Sequence, residues 1–260
     1  MPDRAPTVLA IETATEVCSV AVLLGDRVTE LIETVGHKHS ERVLPMIDAA
    51  LAKRGLTLGD IDFFAFGAGP GSFTGLRIAC GIAQGLAYGK RKQVVPVGNL
   101  RALAAQAFST VDAGDLLLAA IDARMNESYC AIYRRGPLVS EIRAPALEHP
   151  QSLSRLAAEG RVDIVAGNAI KVFAGAWPQI TAWVALPDAT PTAGTIAQLA
   201  RVDAENGLAV VPELAAPIYV RDHVALTIEE RRKVAAAPPG RPKERDVRPG
   251  GTARSARGQQ

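Results

Sequence analysis

Residues 67 to 88 read Gly67-Ala-Gly-Pro-Gly-Ser-Phe-Thr-Gly-Leu-Arg77, then Ile78-Ala-Cys-Gly-Ile-Ala-Gln-Gly-Leu-Ala-Tyr88. The preceding run, Asp62-Phe-Phe-Ala-Phe66, is short and apolar, the pattern of a buried strand. Strand, glycine-rich loop and helix thus follow one another, as in a phosphate-binding loop. A P-loop opens its helix with Gly-Lys-[Ser/Thr], however, and Phe73-Thr74-Gly75 has no lysine to reach a phosphate. Turn chemistry accounts for the same residues: Pro70-Gly71 suits a turn, and Ser72 or Thr74 suits a helix N-cap.

Working outward, Thr7 to Glu12, Cys18 to Leu24 and Arg27 to Val35 are apolar or β-branched runs with short connections, which predicts three successive strands. Residues 39 to 54 change period. Val43, Leu44, Ile47, Ala50 and Leu51 fall on one helical face, with Ser40 as a cap. A strand at Gln93 to Val97 and a helix from Asn99 to Phe108 complete β-β-β-α-β-α-β-α.

The same unit recurs. Shifted by 110 residues, Ala10-Ile11-Glu12 lies on Ala120-Ile121-Asp122 and Ala21-Val22 on Ala131-Ile132. A third run (137 to 147), a helix after Pro150 and a strand at 161 to 167 that echoes residues 62 to 67 follow in the same order. Two copies of a βββαβα unit are the economical account. A last helix is expected from Thr192 to Glu205, then a turn-rich segment at 217 to 225.

The formal charge of +2 is unevenly spread. Residues 229 to 260 hold nine Arg/Lys and four Asp/Glu, net +5, which leaves residues 1 to 228 at −3. The body advertises no nucleic-acid groove of its own, so RNA contact is expected to need the tail or a partner. Composition predicts that residues 228 to 260 form a disordered basic tail. Cys18, Cys80 and Cys130 lie in apolar runs without metal-ligand spacing and read as buried structural thiols of a reducing compartment. The start lacks a signal-peptide core, and no run approaches the ~20 apolar residues of a membrane span, so a cytoplasmic protein is expected.

Two βββαβα units describe the α/β fold shared by actin, Hsp70 and sugar kinases, here with subdomains at 1–110 and 111–227. Leu9 to Thr15, His39-Ser40 with Leu44-Pro45, Gly69 to Arg77, Gly81 to Gly85, Ala120 to Arg124 and Pro217-Ile-Tyr-Val-Arg221 resemble the bacterial TsaB (YeaZ) family. The resemblance covers residues 7 to about 226. It implies a non-catalytic dimerisation subunit of the complex that makes N6-threonylcarbamoyladenosine at adenosine 37 of tRNA. The implied partners are TsaD, the catalytic homologue, and TsaE, an ATPase. Contact with tRNA would be indirect, through the complex, and the chain alone could form a homodimer. The competing reading is an ATP-using or hydrolytic enzyme of the actin and sugar-kinase superfamily.

The residues favour the first. No catalytic constellation stands out. The TsaD-type metal helix carries His-x-x-x-His; here His37 is followed four residues on by Glu41 and His39 by Val43, so no metal site is expected and a solvated loop is. The phosphate turns, Glu12-Thr13-Ala-Thr-Glu16 and Asp122-Ala-Arg124-Met-Asn126, contain no glycine, which limits backbone approach to phosphate. No cofactor is expected beyond weak, vestigial nucleotide binding, with Glu12, Thr13, Gly69, Gly71, Ser72, Thr74, Asp122 and Arg124 as the remnant loop. On a helical wheel of residues 76 to 88 only Arg77, Gly81, Gln84 and Tyr88 form a polar sector, and the apolar arc exceeds what one sheet would cover. A second helix, 41 to 54, offers the small set Pro45, Ala49 and Ala52. The expected partner interface is therefore Pro45, Ala49, Ala52, Leu76, Ala79, Cys80, Ala83 and Ala87, with Ala83→Arg expected to abolish pairing while leaving the fold intact.

Overall fold

A computed structural model of the chain describes residues 4–112, 114–136, 138–177 and 184–221. The basic tail expected at 228 to 260, and residues 222 to 225 of the turn-rich segment, lie outside the described residues.

The first half runs β1 (Val8–Glu12), β2 (Val17–Leu24), β3 (Arg27–Thr34), α1 (His39–Ala52), β4 (Phe63–Gly69), α2 (Phe73–Lys90), β5 (Gln93–Gly98) and α3 (Asn99–Thr110). The second runs β6 (Leu116–Arg124), β7 (Glu127–Arg134), β8 (Ser140–Glu148), α4 (Pro150–Glu159), β9 (Ile164–Ala166), α5 (Ala169–Val172), β10 (Val184–Leu186) and α6 (Ala193–Glu205). One sheet has the order β3-β2-β1-β4-β5, the other β8-β7-β6-β9-β10. The two orders are equivalent strand for strand, so the duplication legible at residues 10–12 and 120–122 extends to the whole topology. In each half the first three strands pair antiparallel and the fourth and fifth join parallel. The chain has the actin and sugar-kinase type of α/β fold.

Strand alternation distributes the core. Leu9 and Ile11 of β1 face α1 and α2, together with Phe64 and Phe66 of β4; Val8 and Ala10 face the opposite way, onto Ile196, Ala197 and Ala200 of α6. Side chains alternate across a pleated sheet, so both faces of β1 are apolar because helices cover both. The helices do not stay with the half that precedes them. Helix α6, from the second half, packs on β1, β2, β4 and β5. Helix α3, from the first, puts Leu103, Ala104 and Ala107 against Leu117, Ala119 and Ile164 of the second sheet. Residues up to Arg221 accordingly form one compact unit.

One local expectation changes. Helix α1 starts at His39 with Lys38 before it and no side-chain cap, so Ser40 lies inside the helix. Strand β10 is only three residues long, and α5 is one turn where the first half has the 18-residue α2. The long helix is thus a feature of one copy alone.

Candidate functional site

The glycine-rich loop meets the β1–β2 turn, and backbone packs on backbone. Ser72 caps α2, its hydroxyl accepting from the Gly75 N–H at 3.4 Å, while its own N–H donates to the Ala14 carbonyl at 2.8 Å. The Thr13 hydroxyl donates to the Gly75 carbonyl at 2.7 Å. A Cβ on Gly75 would stand 1.9 Å from the Thr13 carbonyl oxygen, and one on Gly71 would stand 2.6 Å from the Ala14 Cβ. Glycine is required there for close approach, and what approaches is the chain itself. Gly69, Gly71, Ser72, Glu12 and Thr13 are therefore brought together, with Ser72 and Thr74 both exposed.

Glu12 occupies the position of the acidic residue in this turn, yet it is fully buried. Its Oε1 accepts from the Ala14 N–H at 2.6 Å and from Asn99 Nδ2 at 3.3 Å; its Oε2 has no hydrogen-bond partner among the described residues. Burial pushes the carboxyl up to about 8, against the smaller opposing effects of those two hydrogen bonds, so it is protonated at neutral pH. Gly67 makes room for it, because a Cβ there would stand 1.6 Å from Oε2. The Glu12 carboxyl faces the protein interior and presents neither oxygen to solvent. Asn99, at the start of α3, went unread in the sequence because nothing local marks an asparagine that reaches across to residue 12.

The second turn is built differently. Arg124, Met125 and Asn126 all have positive φ (65°, 55° and 59°). Asp122 Oδ1 accepts from the Arg124 N–H at 2.9 Å, the Asp122 N–H donates to Asn168 Oδ1 at 2.8 Å, and the exposed Arg124 guanidinium lies 3.2 Å from Asp122. Asp122 and Arg124 thus satisfy each other. The segment after α6 ties this turn to the glycine loop: the Ile218 N–H donates to the Ala68 carbonyl at 2.7 Å, Arg77 Nε donates to the Tyr219 hydroxyl at 3.1 Å, and Arg221 reaches the Ala123 carbonyl at 3.0 Å and Glu127 at 2.7 Å. Its signal in the sequence was the Pro217-Ile-Tyr-Val-Arg221 motif.

The helix interface needs correction. Leu76, Ala79, Cys80, Ala83 and Ala87, expected at the partner surface, are all buried against the chain's own sheet. Both arcs of α2 are apolar, and a wheel gives angles without saying which arc the sheet takes. The sheet took the small one. Ile78, Ile82 and Leu86 flank that core half-exposed, and Gly81, Gly85 and Gly89 point outward with nothing within 4 Å of where a Cβ would stand. On α1, Pro45, Ala49 and Ala52 are exposed as expected, and Leu44, expected in the core, is 49% exposed. Ala83→Arg would consequently break the fold rather than the pairing.

His39 is also corrected: it is buried at the first turn of α1, while His37 is exposed. Among the described residues no three His, Cys, Asp or Glu side chains gather as metal ligands. Cys18, Cys80 and Cys130 are free, buried thiols; burial pushes Cys18 up to about 11 and Cys130 up to about 12, so they are inert as nucleophiles at neutral pH. No helix among the described residues is long and apolar enough to cross a membrane.

A family model described as TsaD, tRNA N6-adenosine threonylcarbamoyltransferase, matches residues 27–227. Within that class, the TsaB tRNA threonylcarbamoyladenosine biosynthesis protein of Haemophilus influenzae is 52% identical over 123 residues, a match spanning 47% of this chain and about half, 52%, of that relative. The Escherichia coli TsaB is 36% identical over 232 residues, 84% of this chain and 96% of the relative. The solved YeaZ structure from Pseudomonas aeruginosa superposes with a TM-score of 0.74 at 36% identity, over 82% of this chain and 99% of that one. The chain belongs to the TsaB (YeaZ) family.

Proposed function

We propose that this chain serves tRNA threonylcarbamoyladenosine biosynthesis in the cytoplasm as a non-catalytic subunit that pairs with a TsaD-type catalytic homologue and helps recruit the ATPase TsaE. The relatives' names support the pathway. The outward face of α2 carries the pairing. A glycine inside a helix costs about 1 kcal/mol relative to alanine, and α2 places three of them, Gly81, Gly85 and Gly89, on one exposed ridge where nothing among the described residues needs the space. A second helix laid on that ridge would approach more closely than any Cβ allows. Pro45, Ala49 and Ala52 of the neighbouring α1 widen the same small-residue surface.

The closed turn supports a non-catalytic role. Thr13 fills the space over Gly75, and the neutral Glu12 is sealed behind Gly67. Reconstitution tests this. Modification of tRNA by TsaD, TsaE and a supply of threonylcarbamoyl-adenylate is expected to need this chain, and Gly85→Arg is expected to abolish both pairing and activity while the isolated variant stays folded. Magnesium-ATP turnover by the chain alone would favour the enzyme reading instead.

A further inference from the structure

At the pole of the first sheet opposite the glycine loop, where β1, β4 and β5 begin in register at Val8, Phe63 and Gln93, lies a groove of about 520 Å³. Its walls carry Arg4, Arg91 and Lys92; Pro6 and Phe63 supply apolar surface, and Asp62 is its acid. Asp62 acts as an organiser. One oxygen accepts from the Thr7 N–H at 2.8 Å and from Arg4 at 2.8 Å, and the other lies 3.8 Å from Lys92, so one carboxylate draws two cations onto the groove. Asp60, also near Arg4, is engaged by Thr57 through its backbone N–H and its hydroxyl.

Arg91 adds an independent observation. It ends α2 in the left-handed conformation, φ 55° and ψ 45°, and its backbone caps the last carbonyls of the helix. Glycine is the usual residue there because any Cβ is strained. The chain keeps an arginine, exposed, directed to a groove that already holds two other cations.

We propose that this groove binds the phosphodiester backbone of RNA, with Arg4, Arg91 and Lys92 as the phosphate contacts. Phosphate neutralisation by Lys and Arg is the sequence-independent part of RNA binding, and Phe63 and Pro6 give the sugar and base a surface to lie on. The groove adjoins the C-terminal end of α2, so RNA held there would run along the edge of the surface assigned to the catalytic partner. The sequence concealed the site: Arg4 and Arg91 are far apart in the chain, and the body's net negative charge hides a local excess of cations. The inference rests on the tRNA-modification reading above, and its test separates the two.

The full-length chain is assembled with its TsaD homologue, and tRNA binding is followed by fluorescence anisotropy across a series of salt concentrations. The Arg4→Ala/Arg91→Gly variant is compared with the unaltered chain; the tail is present in both, so the difference isolates the groove. Glycine is the favoured residue at position 91 and Arg4 is mostly exposed, so the variant is expected to melt no earlier and to pair with TsaD normally. Its tRNA affinity is expected to fall about tenfold at moderate salt, with a salt slope shallower by about 1.5. An unchanged slope with pairing intact would overturn the groove and leave the pairing reading standing. If the unaltered chain fails to pair with TsaD, the pairing reading falls, and the same titration on the chain alone decides the groove. Saturable binding of ATP or inorganic phosphate to the chain, lost in the variant, would make this a small-anion site and also overturn the RNA assignment.

Discussion

Replacing Gly81 and Gly85 by alanine separates the fold from the pairing with one variant. Both sit inside α2, both are exposed, and the space where each Cβ would stand is open to 4 Å. Gly→Ala in a helix interior is worth about 1 kcal/mol, so the isolated chain should gain about 2 kcal/mol. For a domain of this size that corresponds to a rise in Tm of about 4–8 °C. The assay is thermal unfolding by circular dichroism at two protein concentrations, which exposes any contribution from self-association. The effect on pairing has the opposite sign. Two methyl groups wedged into a close helix contact cost about 1–3 kcal/mol, so calorimetric titration with TsaD should show affinity reduced about 10- to 100-fold. A fall in Tm would mean that the glycines serve the fold. A rise in Tm with undiminished affinity would remove α2 from the interface.

Three further outcomes follow from the same structure. Ala83→Arg puts a charge at a site with no exposure, in contact with the first sheet; it should destabilise by more than about 3 kcal/mol, visible as loss of a cooperative melt. Glu12→Gln should flatten a pH dependence. The folded chain holds a proton from about 4.5, the ordinary value, up to about 8 that the unfolded chain releases, so the stability tied to that proton is complete below 4.5 and lost as pH rises toward 8. At about 1.4 kcal/mol per pH unit, the variant should gain about 3 kcal/mol on wild type between pH 5 and 7; a difference in Tm that stays constant with pH would refute the buried, protonated carboxyl. Ser72→Ala removes the cap of α2 and should cost about 1 kcal/mol, read as a lower denaturation midpoint in urea with an unchanged slope.

Much of this fold could be read from one chain. Strand periodicity, turn residues and the 110-residue self-similarity specify local structure, and local structure repeated in one order leaves few topologies. The signals failed where the partner of a residue is remote. Nothing near Ser40 says that the helix begins one residue earlier, and nothing near Asn99 points to Glu12. Strand β10, at three residues, has too few side chains to show a period.

The opening stretch divides in the same way. By itself the sequence determined that residues 62 to 88 form strand, loop and helix, that the loop lacks the lysine of a nucleotide site, and that α2 is apolar over more of its surface than one sheet would cover. Those properties depend on residue type and spacing along the chain. Only the tertiary structure decided which arc of α2 the sheet takes, and it turned the expected interface residues of α2 inward and three glycines outward. It alone filled the glycine loop with the Thr13 backbone, and it gathered Arg4 with Lys92 around Asp62. The physical reason is common to all three: burial and electrostatic proximity are set by elements distant in sequence, and a helical wheel or a charge count has no knowledge of what packs beside it.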